Sequence, residues 1–74
     1  MIEIIVDDRL SKKIKVKCLE DDTIEDLKKL ICVQLGLSSI NKIDLQKNNI
    51  KLKNHITLDD YEIHSMTSLD LYYI

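Results

Sequence analysis

Cys18, Cys32, His55 and His64 are the only thiols and imidazoles in the chain, and they are the side chains that thiol catalysis or zinc binding would require. Their spacing fits neither use. Zinc ligands usually come in close pairs such as C-x2-4-C, whereas these four are scattered, and Cys18 points toward a core by strand parity. No catalytic residue, metal or other cofactor is expected. The remaining groups suited to recognition are charged or apolar: acids at Asp22 and Asp26, a row of lysines at Lys13, Lys15 and Lys17, and aliphatic Leu30 and Val33 set among polar neighbours. Scattered aliphatic groups and a row of lysines read first as a plain solvated surface, and the alternative is a docking surface for a partner protein.

The size of the chain points the same way. Seventy-four residues form a single domain, 1–74, and a chain of this length buries only about 60% of its unfolded surface, with no room for a deep active site beside a core. With 45% hydrophobic and 32% charged residues the chain is globular, and with no Phe or Trp and three Tyr its core must be aliphatic. A net charge of -2 argues against a direct nucleic-acid partner, and no apolar run approaches the roughly 20 residues that span a bilayer. The amino terminus MIEIIVDD lacks the basic region and cleavage site of a signal peptide, so an intracellular monomer with reduced cysteines and no membrane partner is expected.

One stretch reads as a helix. In DDTIEDLKKLICVQLG, Thr23 is a good N-cap with Asp26 completing a short capping box, Asp22, Glu25 and Asp26 favour the positive end of the dipole, and Gly36 ends the helix. At about 100° per residue, Ile24, Leu27, Ile31 and Leu35 form the buried stripe, which leaves Asp22, Asp26, Leu30 and Val33 on the far or lateral side. Alternation predicts a strand over Ile2–Val6 and another over Lys13–Cys18, with Ile14, Val16 and Cys18 inside and the three lysines in water. Asp7 to Ser11 turns the chain between them.

After a loop at 37–40, a third strand is predicted over Lys42–Gln46, with Ile43 and Leu45 inward and Asp44 outward. Asn48 and Asn49 form a turn, 50–52 a short fourth strand, and Ser68–Tyr73 a last strand with Leu69 and Leu71 inward. Residues 57–63 are too short and irregular for a helix. This order predicts an α+β fold of the β-grasp type, a mixed sheet of four to five strands wrapped over one helix.

At this point the sequence resembles the ubiquitin-like proteins, in Thr57-Leu58-Asp59-Asp60-Tyr61-Glu62-Ile63 followed by Ser68-Leu69-Asp70-Leu71 and in the helix opening Asp22-Thr23-Ile24-Glu25. Over its full length, through MIEIIVDDRL, KVKC, DDTIEDLKKLI, NKI, LDDYEIH and the terminal LYY, it is similar to the splicing-linked family known as homologous-to-ubiquitin or ubiquitin-like protein five. It departs from that family's pattern at 37–40, where a residue is added and a tryptophan is missing.

Covalent modifiers need a flexible tail ending in two glycines, because only bare backbone threads the channels of the activating enzymes. This sequence reads Tyr72-Tyr73-Ile74, and Gly36 is its only glycine, so non-covalent binding is the expectation, with conjugation through the Tyr72-Tyr73 end as the alternative. An exposed Asp44, at a place where a ubiquitin-like patch has an aliphatic residue, should repel ordinary ubiquitin receptors.

The resemblance implies a different surface, which takes a short helical segment of a spliceosomal tri-snRNP protein. Asp22 would pair with a partner arginine there, and Lys17, Cys18, Leu30 and Val33 would supply rim and apolar contacts. It further implies a second surface at His64 that meets a splicing helicase, and residence in the nucleus and cytoplasm.

Overall fold

The computed structural model describes residues 1–10 and 12–74, so the last position of the first turn, Ser11, lies outside the described residues. Strands β1 (Ile2–Asp7) and β2 (Lys13–Cys18) precede the helix α1 (Ile24–Leu35). A short 3-10 turn (Ile40–Lys42), β3 (Ile43–Lys47), β4 (Ile50–Lys51) and β5 (Ser68–Tyr73) follow. The sheet has five strands in the order β2-β1-β5-β3-β4. Among the described residues only the central β1/β5 pair is parallel, and the others are antiparallel, which makes the sheet mixed, as the element order predicts.

Strand parity is obeyed throughout. Ile2, Ile4 and Val6, then Val16 and Cys18, Ile43 and Leu45, and Leu69 and Leu71 all turn inward to meet Ile24, Leu27, Ile31 and Cys32 of α1, with Leu52, Leu58 and Ile63 closing the core. Burying each of these aliphatic side chains favours folding by about 2 kcal/mol. The helical stripe is shifted by part of a turn from the predicted one: Leu35 is only partly buried, while Cys32 and Lys28 are buried.

The helix ends are satisfied in detail. Thr23 and Asp26 form both halves of a capping box, Ile24 N–H donates to Ile56 O and Glu25 N–H to Asn54 O, each at 3.0 Å. The amides that a helix start leaves unpaired are therefore taken by the chain itself. Gly36 adopts φ 73° and stops the helix in the left-handed conformation that a side chain resists. Asn48 and Asn49 are both left-handed, at φ 53° and 68°, and make the two-residue turn between β3 and β4.

The expected bounds of three strands shift by one residue: β1 runs on to Asp7, β3 covers Ile43–Lys47 and β4 ends at Lys51. Ser39 accepts from Asn41 N–H and winds Ile40–Lys42 into the 3-10 turn, so β3 starts at Ile43 rather than Lys42. The segment at 57–63 is a run of turns fixed by Leu58 N–H to Asp22 O and Asp59 N–H to Glu20 O, both 2.9 Å. No helix among the described residues is long and apolar enough to cross a membrane.

Candidate protein-docking groove

The β2–α1 edge is built by two polar clasps at opposite ends. At one end Asp22 Oδ2 accepts from the Leu19 amide at 3.0 Å, closing the turn that leads from β2 into α1. At the other end Gln34, in the last turn of α1, donates from Nε2 to the Lys15 carbonyl at 3.1 Å. The helix therefore runs antiparallel to β2, and a shallow groove of about 490 Å³ opens between them, lined by Glu3, Lys15, Val16, Lys17, Leu30, Val33 and Gln34.

Three of the five residues expected to form one surface meet here. Lys17, Leu30 and Val33 line the groove together, and the exposure of the two aliphatic groups, 40% for Leu30 and 83% for Val33, is what a docking strip requires. Asp22 stands beyond the groove's end rather than on its wall. Its Oδ2 is committed to Leu19, and its Oδ1 has no hydrogen-bond partner among the described residues, so that oxygen is the one open to an incoming guanidinium.

Cys18 corrects the expectation. Its side chain is buried in the core because it shares the inward parity of Val16, so it supports the groove from beneath and offers a partner no contact. Burial pushes its thiol up, with the nearby Asp22 carboxylate adding to the rise and the amino terminus opposing it. Burial also raises the Cys32 thiol, against the opposing charge of Lys28. Both are free thiols held away from the thiolate that nucleophilic chemistry needs.

Asp44 requires a second correction. It does lie on the outward parity of β3, but it is not an exposed, unpartnered carboxylate. Lys51 Nζ stands 3.3 Å from its Oδ2 and Lys28 Nζ 3.7 Å from its Oδ1, with the Asp44 side chain 21% exposed. Strand β4 pairs only with Gln46 and Lys47, and past that short strand the buried Lys28 reaches Asp44 while donating to Asn54 Oδ1 at 2.7 Å.

His64 is exposed, and its Nδ1 lies 3.1 Å from Glu20 Oε2. Asp59 joins them, so that three donor atoms fall within 4.8 Å of one another. Side-chain pattern carries no hint of this trio, because Glu20 and His64 are 44 positions apart and are brought together where the Leu58 and Asp59 amides bond the Asp22 and Glu20 carbonyls. All three side chains are exposed, which is unlike the enclosed ligand sets of structural metal sites.

At the other end of the chain, Tyr72 is half-buried, with the Arg9 guanidinium 5.1 Å from its ring centroid and Arg9 Nη1 bonded to its hydroxyl. Tyr73 is exposed and pairs with Ile43 in the sheet, and Ile74 N–H donates to Lys42 O at 2.9 Å.

The family model described as ubiquitin-2 like Rad60 SUMO-like matches residues 2–72. The chain is 58% identical over 74 residues to the ubiquitin-like modifier HUB1 of Kluyveromyces lactis, covering 100% of both chains. It is 53% identical over 74 residues to the HUB1 of Saccharomyces cerevisiae, again covering 100% of both. Similarity reaches animals: ubiquitin-like protein 5 of Drosophila melanogaster is 55% identical over 73 residues, 99% of each chain.

Proposed function

The chain belongs to the family of ubiquitin-like modifiers that includes HUB1 and ubiquitin-like protein 5, and from that premise we propose that it is a non-covalent adaptor. Its role is to seat a short helical segment of a spliceosomal protein in the β2–α1 groove and thereby modulate pre-mRNA splicing in the nucleus, with a cytoplasmic pool. The observation that carries this reading is the meeting of Lys17, exposed Leu30 and exposed Val33 in one groove with the Asp22 carboxylate beyond its end. An amphipathic helix lays its apolar face into such a groove, and a partner arginine meets Asp22 Oδ1 in a charge-assisted bond. A splicing helicase engages a second surface at His64.

The non-covalent form of the reading draws support from the last strand. The Tyr72 hydroxyl is held by Arg9, and the Ile74 amide is bonded to Lys42 O, so residues 72–74 lie along the sheet rather than standing off it.

A pulldown from nuclear extract with the wild type and Asp22→Arg tests the adaptor. Asp22→Arg is expected to weaken the helical partner by about 2–5 kcal/mol, with partial rescue by a reciprocal Arg→Asp partner. Undiminished capture by the variant would move the interface elsewhere. Conjugation through Tyr73 is checked separately under denaturing conditions, where the adaptor reading expects no higher-mass adduct of the tagged chain.

A further inference from the structure

The turn at 57–63 is fastened to the turn that leads from β2 into α1 by two backbone bonds, Leu58 N–H to Asp22 O and Asp59 N–H to Glu20 O, both 2.9 Å. Beyond Asp59 the chain is held again. Glu62 N–H donates to Asp59 O at 2.9 Å, with Glu62 left-handed at φ 57°. His64 N–H donates to Thr67 Oγ1 at 3.0 Å, and Thr67 N–H returns to His64 O at 3.1 Å. The backbone of Glu20, Asp59 and His64 is thereby fixed, and their side chains converge. His64 Nδ1 lies 3.1 Å from Glu20 Oε2, and one donor atom from each of the three residues falls within 4.8 Å of the others.

We propose that Glu20, Asp59 and His64 form an exchangeable site for a divalent transition-metal ion of the zinc type, which clamps the two turns together. The proposal is independent of the adaptor reading. Two exposed carboxylates alone would gather only counter-ions. The imidazole makes the set selective, because nitrogen combined with carboxylate oxygen suits zinc and its neighbours, whereas calcium and magnesium take oxygen ligands. Zinc bonds both ligand types at about 2.0–2.2 Å, so ligand atoms around a tetrahedral ion stand about 3.4 Å apart. Side-chain rotation closes the gap to that spacing, and all three side chains are exposed and free of core packing. The scattered Cys and His positions do not disclose this set, since two of its members are carboxylates.

The surrounding charge favours a dication. Residues 18–27 and 57–67, which the backbone bonds bring together, contain no Lys or Arg and hold most of the chain's acids. Cations do approach from elsewhere: Lys47 Nζ donates to the Tyr61 and Glu62 carbonyls at 2.9 and 3.3 Å, and Lys17 and the amino-terminal Met1 line a recess with Ser65. Among the described residues none of them pairs with Glu20 or Asp59. Three protein ligands leave a fourth position to water, and the exposure of the set makes the ion exchangeable, unlike one in a closed structural site.

The test adds zinc chloride to the reduced, isotopically labelled full chain in a non-chelating buffer and follows the two imidazoles together with the binding isotherm. One ion per chain is expected, moving the His64 ring and the Glu20 and Asp59 carboxyl carbons while His55 and the core amides stay in place. His64→Gln, Glu20→Gln and Asp59→Asn should each weaken binding by at least about tenfold, and His55→Gln should leave it unchanged. Zinc should also raise the urea midpoint of the wild type but not that of His64→Gln. The Leu58 and Ile63 amides report that each variant keeps the turn.

An unmoved His64 ring, undiminished binding by any of the three variants, or an equal response to magnesium chloride would reduce the trio to diffuse attraction of counter-ions and overturn the proposal. Shifts centred on Cys18 and Cys32 would overturn it too, because zinc would then be held by the thiolates of an opened chain.

Discussion

Two recesses of similar size flank α1, and they have opposite chemistry. The one beside β4, about 400 Å³ and lined by Lys28, Asp44, Lys51, Leu52, Lys53, Asn54 and His55, contains charges that already answer one another: Lys28 with Asn54 and Asp44, and Asp44 with Lys51. The one beside β2, about 490 Å³, holds two exposed aliphatic groups, Leu30 and Val33. A buried ion pair demands partners and the fold supplies them, so the β4 side has little left to gain from a visitor. Exposed Leu30 and Val33 incur no such penalty alone but gain when water leaves them. The comparison teaches that charge density by itself is a poor guide to a docking site, and that groups left unanswered within the chain are a better one.

The largest effect that would break this contrast lies on the self-satisfied side. Lys28→Ala removes a packed aliphatic stem and leaves Asn54 and one oxygen of Asp44 without their cation, so a loss of about 2–4 kcal/mol is expected in urea unfolding. Lys28→Met restores the stem but not the charge, and it should recover more than half of that loss because Asp44 keeps Lys51. Wherever the variants remain folded, partner capture through the other groove should be unchanged. Capture lost in proportion to the Lys28 charge would mean that the β4 side is a docking site after all.

A smaller effect comes from within the core, where Cys18 of β2 and Cys32 of α1 are both buried. Both folded-state thiols are raised above the ordinary value of 9.0. A group whose pKa is higher folded than unfolded contributes fully below the unfolded value and loses its contribution as pH rises through the folded one. Stability should therefore hold to about pH 8 and fall on going above pH 9. Burial raises both thiols, so Cys18→Ala and Cys32→Ala should each remove part of the alkaline slope. The check is chemical denaturation repeated from pH 7 to 10.5 on the three proteins.

These two sides were unequally legible in the sequence. The β2 side follows from local pattern: the faultless alternation from Lys13 to Cys18, the cap at Thr23, and the projection of Leu30 and Val33 off the buried stripe. Each of these needs only residues close in sequence, and each appears in the fold. The same parity that places Lys17 outside places Cys18 inside, so of this pair only Lys17 faces solvent. The β4 side depends on meetings that periodicity cannot see. Lys28 lies at the margin of the helical stripe, next to Leu27 and one turn before Ile31 and Cys32, and only Asn54 and Asp44, far along the chain, make its burial tolerable. Glu20 and His64 are hidden for the same reason, since the turn at 57–63 brings them together through backbone bonds that leave no mark on side-chain pattern.

The smallest expected effect is the one that isolates the groove. Val33 lies in the last third of α1 with 83% of its surface exposed, and valine and serine have nearly the same helix propensity. Val33→Ser should therefore alter unfolding free energy by no more than about 0.5 kcal/mol, as surface substitutions do. Leu30→Ser should cost somewhat more, because 40% exposure means that part of its side chain already packs against the molecule. Binding should show the opposite pattern to Lys28→Ala: Val33→Ser loses partner at unchanged stability, while Lys28→Ala loses stability at unchanged partner. A Val33→Ser protein that unfolds more than 1 kcal/mol more easily would show that Val33 is held by the fold, and the distinction between the covered and the uncovered side of α1 would then fail at the residue that expresses it most clearly.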